Sequence, residues 1–131
     1  MNGGVLKLKL EFSNEKSIYL QIAENIEDEI IKGNIEEETQ IPSTNQMAVI
    51  YKINPATAGK GINILVDRQI LYKKRGIGMF VASGAKNAIR ETRKSSFYEK
   101  YIVSLLDEAK NLGIEMNELI ELIRKGGKTN E

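Results

Sequence analysis

The chain has 131 residues, 41% of them hydrophobic, enough for one compact domain with an appendage. It contains neither cysteine nor histidine, which excludes disulfides, thiolate chemistry, zinc sites and histidine-based acid–base catalysis together. The net charge of +1 conceals an uneven distribution: acids dominate residues 15–38, whereas Lys52, Lys60, Arg68, Lys73, Lys74 and Arg75 face Asp67 alone in residues 52–75. A polyanion would meet the second segment, with the first pointing away.

Leu6, Leu8 and Leu10 alternate with Lys7, Lys9 and Glu11, and this period of two predicts a short strand over residues 5–12 with one buried face. No apolar stretch approaches the roughly 20 residues of a membrane span. Met1 to Phe12 lacks the continuous apolar region of a signal peptide, so a cytoplasmic location is expected. Ile18, Leu20, Ile22, Ala23, Ile26, Ile30 and Ile31 then recur at helical spacing, making an amphipathic scaffold helix that stops at Gly33. The acids Glu36, Glu37 and Glu38 follow and read as a solvated face.

Ser43 after Pro42 caps a helix over Thr44 to Tyr51, with Met47, Ala48 and Ile50 inward and Val49 less determined. Asn54 caps a further helix, with Pro55 at the first position, where its missing N–H costs nothing. The two helices meet across a turn at Lys52 and Ile53, the spacing of a helix-turn-helix. In the second helix Ile62, Leu65 and Val66 form the inward stripe, with Ala58 or Ile64 at its margin, while Asn54, Ala56, Thr57 and Lys60 face outward. Gly59 and Gly61 each cost about 1 kcal/mol relative to Ala in a helix interior. Gly61 is expected to allow close packing on the preceding helix; Gly59 either admits DNA backbone or is a weakness.

Leu71 to Arg75 and Met79 to Val81 flank a turn at Gly76-Ile77-Gly78, which predicts a β-hairpin carrying Lys73, Lys74 and Arg75. The fold class is therefore mainly α with a small β-hairpin, a winged helix-turn-helix over residues 1–82. Residues 83–131 suit a helical dimerisation region. A long helix runs from about Lys86 to Leu112, Gly113 stops it, and a shorter one ends before Gly126-Gly127. Phe97, Tyr98, Tyr101, Ile102, Leu105 and Leu106 on the first, with Leu119, Ile120 and Ile123 on the second, make stripes too broad for one hairpin to bury. Pairing with a second copy is expected. The charge run Lys86, Arg90, Arg93 and Lys94 reads as a solvated surface.

Residues 17–82 resemble the DNA-binding domain of the GntR family of bacterial transcription regulators. Four motifs carry the likeness: Ile18-Tyr19-Leu20-Gln21-Ile22, Ile41-Pro42-Ser43, Asn54-Pro55-Ala56-Thr57 and Gly76-x-Gly78-x-Phe80-Val81. The Asn-Pro-x-Thr form and the short tail are most similar to the YtrA subfamily. Two positions depart from the family pattern. Glu37-Glu38 stand where Pro-Gly is usual, which leaves either a different turn or a strained Glu38. Asn45 stands where an Arg usually contacts DNA; Asn can pair with adenine through two bonds but cannot make a charged pair with guanine.

The resemblance implies a homodimeric, sequence-specific regulator, in function a repressor, bound to a double-stranded inverted-repeat operator. Ser43 and Thr44 would clamp the backbone at a helix N-terminus. Asn45, Asn54, Pro55, Ala56, Thr57 and Lys60 would lie at the groove, and Arg75, Gly76 and Gly78 at the wing tip. No cofactor or metal is expected, nor an enzyme, because the acids show no nucleophile and base at a suggestive spacing. The region after the wing leaves room for a small-molecule effector of unknown identity but not for a separate sensory domain. A winged helix serving as a protein- or RNA-binding adaptor is the alternative.

Overall fold

The computed structural model describes residues 17–129, so the strand expected over residues 5–12 lies outside the described part. The chain divides into two compact units, one ending at Glu91 and the other beginning at Thr92.

In the first unit, helix α1 (Ile18–Ile31) is followed by strand β1 (Gln40–Ile41), helices α2 (Thr44–Tyr51) and α3 (Pro55–Asp67), strands β2 (Leu71–Lys74) and β3 (Gly78–Val81), and the start of α4 (Ala85–Phe97). The core is built on Ile22, Ile26 and Ile30 of α1, Met47 of α2, and Ala58, Ile62 and Leu65 of α3. Leu71 and Val81 face each other across β2 and β3 and close it from the sheet side, while Ala85 and Ile89 bring the first turns of α4 into it. Arg68, at the end of α3, reaches both oxygens of the nearly buried Glu27 carboxylate at 3.3 Å and ties α3 to α1.

Three core expectations need correcting. Ala58 lies at the centre of the core and not at its margin. Ile50 is 41% exposed; an eight-residue helix offers the core little more than its Met47 and Ala48 side, and Tyr51 and Ile53 cover the rest. Gly61 packs on α1 and not on α2: a Cβ there would stand 2.8 Å from the Tyr19 carbonyl oxygen and 3.1 Å from Ile22.

The sheet is also larger than a hairpin. Its order is β1-β3-β2, all antiparallel, with Gln40 opposite Phe80 and Tyr72 opposite Phe80 on the other side. Glu38, two residues before β1, has φ of 65°. The left-handed turn that glycine normally supplies is thus kept with a glutamate. Its carboxylate accepts the Tyr72 hydroxyl proton at 2.5 Å, fastening the turn to β2. That bond holds the Tyr72 hydroxyl above its ordinary pKa.

Glu37 is not a solvated bystander. Its two carboxylate oxygens accept the backbone N–H groups of Gly84 at 2.9 Å and Lys86 at 3.1 Å, so it caps the N-terminus of α4 from a distant loop. Those two amides hold its carboxyl below the ordinary carboxylate range.

In the second unit the helix continues from α4 through a π-helical stretch, Tyr98–Val103, into α5 (Ser104–Asn111). Gly113, at φ of 70°, ends it: the N–H of Ile114 reaches back to the Ala109 carbonyl and that of Gly113 to Lys110, the two bonds of a Schellman stop. Helix α6 (Met116–Thr129) then runs through Gly126 and Gly127, where the sequence suggested it would end. Ala109 and Leu119 are buried within this unit, whereas Phe97, Tyr98, Tyr101, Leu105, Leu106, Ile120 and Ile123 are exposed and Ile102 is half-buried. Leu119 therefore packs inside a single chain.

Candidate nucleic-acid interface

The turn between α2 and α3 is built from local chemistry. Ser43 and Gln46 form a capping box: the Ser43 hydroxyl accepts the Gln46 N–H at 3.1 Å, and the Gln46 side chain accepts the Ser43 N–H at 2.8 Å. The amides of Thr44 and Asn45, next in the first turn, have no carbonyl within the helix to bond and project from its end. Lys52 takes the left-handed conformation (φ 54°), and the N–H of Ile53 returns to the Ala48 carbonyl, stopping α2. Asn54 then accepts the Ala56 N–H at 2.8 Å, and Pro55 opens α3.

The wing is held at both ends. Its tip is a turn in which the Ile77 N–H bonds the Lys74 carbonyl and Gly76 adopts φ of 78°. From β1, the Gln40 side-chain amide donates to the Ile77 carbonyl at 3.0 Å and lies where a Cβ on Gly78 would have to go. On one face of the hairpin Tyr72 stacks on Phe80 with centroids 6.0 Å apart, and the Lys74 ammonium sits 4.3 Å from the Phe80 centroid. Lys73, pointing to the other face by strand alternation, lines a cleft of about 400 Å³ between the wing and the two helices.

That cleft gathers Ser43, Thr44 and Asn45 from the start of α2 with Gly78 of the wing, four residues the sequence had singled out. It adds Asn63 of α3, which sequence reasoning did not name; its signal was a lone polar residue between Ile62 and Ile64 in an apolar half-helix. Asn54, Pro55 and Ala56 are exposed at the N-terminus of α3 and Thr57 is half-buried, outside the cleft lining. Arg75 and Gly76 are exposed at the wing tip. Lys60 is exposed too, but its ammonium lies over the Tyr19 ring of α1, 4.1 Å from the centroid. Gly59, by contrast, faces α2: a Cβ there would meet the Thr44 methyl at 3.5 Å.

Among the described residues no group of three acidic side chains is placed to hold a metal ion, and no helix is long and apolar enough to cross a membrane.

Residues 18–81, the segment that builds α1, the helix-turn-helix and the wing, match the family "Bacterial regulatory proteins, gntR family". A solved GntR-family transcriptional regulator from Bacteroides thetaiotaomicron is 38% identical, superposes with a TM-score of 0.69, and is covered over 99% of its chain by 87% of this one. The chain belongs to the GntR family. This GntR protein is YtrA-like: the HTH-type transcriptional repressor YtrA of Bacillus subtilis (strain 168) is 27% identical over 130 residues, covering 95% of this chain and 99% of YtrA. A further relative, S. agalactiae BusR, solved in complex with its busAB-promotor DNA, is 29% identical with a TM-score of 0.54, over 87% of this chain and 57% of BusR. The chain is accordingly a winged helix-turn-helix transcriptional regulator that binds DNA.

Proposed function

We propose that this GntR-family protein is a dimeric repressor that binds an inverted-repeat operator, each copy placing α3 in a major groove with its wing along the flanking backbone. The observation that carries this reading is the convergence on one cleft of the first turn of α2, one side of α3 and Lys73 of the wing. The relatives agree in kind: YtrA is named a repressor, and BusR was solved on promoter DNA.

In this reading the start of α2, Ser43 and Thr44, clamps a phosphate through helix-terminal amides. Because the Ser43 N–H is given to Gln46, the Thr44 amide carries that role with its neighbour Asn45. Asn45, Asn54, Pro55, Ala56 and Thr57 meet the groove. Lys60 and Arg75 supply charge to the backbone, Gly76 lets the wing tip approach it, and Gly78 admits the Gln40 side chain that holds the tip in place. The exposed apolar side chains of residues 92–131 pair with a second copy, so half-sites lie about 10 bp, or a multiple, apart.

Selection of bound duplexes from a random pool, followed by gel shifts of selected and scrambled duplexes over a salt series, tests this. An inverted repeat bound roughly 10³-fold or more tightly than its scramble, with steep salt dependence, is the expected result. Sequence-blind or absent duplex binding would overturn it in favour of an adaptor role.

A further inference from the structure

We infer that this protein reads A·T base pairs at the heart of each half-site, with Asn45 and Ala56 as the specificity-determining side chains and Lys60 confined to the sugar-phosphate backbone. The inference rests on the DNA-binding reading above and adds the base class to it.

Gly59 faces Thr44, so the side of α3 carrying Gly59 is the side that lies beside the start of α2. Ala56, three residues earlier, shares that side. Asn45 follows Thr44 and is exposed. The face formed in this way offers an amide, a methyl, a threonine and a bare glycine. Guanine is most often read by the paired N–H groups of Arg or by Lys, aimed at O6 and N7. Among the described residues no Arg lines the adjoining cleft, and its cation, Lys73, comes from the wing.

Lys60 is the first cation in α3, and it sits next to Gly59. One residue along a helix turns the side chain by about 100°. The ammonium accordingly rests over Tyr19 of α1 and not beside Thr44. What remains on the groove side matches adenine and thymine. The Asn45 amide has the donor and acceptor that adenine N7 and N6 require, and the Ala56 methyl suits the thymine methyl. Gly59 has no side chain to hold α3 away from the bases.

The test is selection from a random duplex pool by the full chain and by three variants. The native chain should enrich half-sites whose central pairs are A·T, and exchanging one such pair for G·C should weaken binding about 5- to 150-fold. Asn45→Arg should move one pair per half-site to G·C. Gly59→Arg, whose Cβ meets only an ordinary contact, should add a G·C preference of its own. Lys60→Ala should enrich the native sequence. A native consensus with G·C at its heart, an Asn45→Arg or Gly59→Arg consensus identical to the native one, or an altered consensus for Lys60→Ala would each overturn the inference while leaving the DNA-binding reading intact. No enrichment by the native chain at low salt would remove both.

Discussion

Lys60 lies over the ring of Tyr19, its Nζ 4.1 Å from the centroid, so the first cation of α3 is engaged with α1. Such a contact at an exposed site is worth about 0.5–1 kcal/mol. Lys60→Ala removes it together with one positive charge near the duplex. We expect denaturant titration to show a loss of that size. Gel shifts should show weaker binding on all sequences alike, with a salt slope lower by about one. If stability were unchanged, the ring contact would carry no weight in solution.

Gly59 and Gly61 are two residues apart in one helix, yet substitution should move stability in opposite directions. Ala in place of Gly improves helix propensity by about 1 kcal/mol at either site. At Gly59 a Cβ finds the Thr44 methyl at an ordinary 3.5 Å, so Gly59→Ala should stabilise by up to about 1 kcal/mol. At Gly61 it meets the Tyr19 carbonyl at 2.8 Å, a backbone atom that cannot swing aside, and Gly61→Ala should destabilise by about 1–3 kcal/mol. Thermal unfolding of the two variants side by side decides the matter; equal shifts would mean that α1 and α3 pack less closely.

Glu37 links acid sensitivity to the root of α4. The amides of Gly84 and Lys86 lower its folded pKa relative to the ordinary 4.5. A group depressed in this way stabilises the fold above its unfolded pKa, and the contribution disappears as pH falls through the folded value. Glu37→Ala should therefore melt below the native protein at neutral pH. The gap should close as pH drops below about 4.5, because protonation then removes in the native chain what the substitution removed already. Parallel melting curves with a constant gap down to the acid limit would show that the capping bonds do not depend on charge.

The parts of this fold that were legible in the sequence are those fixed by neighbours. Ser43 and Asn54-Pro55 announced α2 and α3 because capping is settled within three residues, and both caps form as the residue types require. What stayed hidden depends on contacts across the chain. Glu37 bonds Gly84 across 47 positions, and no spacing rule marks a carboxylate as the cap of a distant helix. Strand β1 is two residues long, too short to show a period. Lys60 read as an outward residue, and it is exposed; its contact with the Tyr19 ring depends on α1 and no spacing within α3 marks it. The run through Gly126 and Gly127 likewise shows that glycines weaken a helix without having to end it.

Pairing of two copies can be separated from folding. Phe97 and Tyr101 lie with ring centroids 5.4 Å apart, and both remain more than half exposed, with Leu105 and Leu106 beyond them along the same helix. An apolar surface of this breadth is one that soluble monomers rarely leave uncovered. Tyr101→Glu places a charge there without touching the buried pair Ala109 and Leu119, so the single chain should keep its helical content. We expect sedimentation at micromolar concentration to show a dimer for the native chain and a monomer for the variant. Affinity for the full inverted repeat should fall by about 10² or more, because joining two sites converts the second contact into an intramolecular one, while binding to an isolated half-site stays the same. A native protein that sediments as a monomer, or a variant that still pairs, would assign this surface to something other than a second copy.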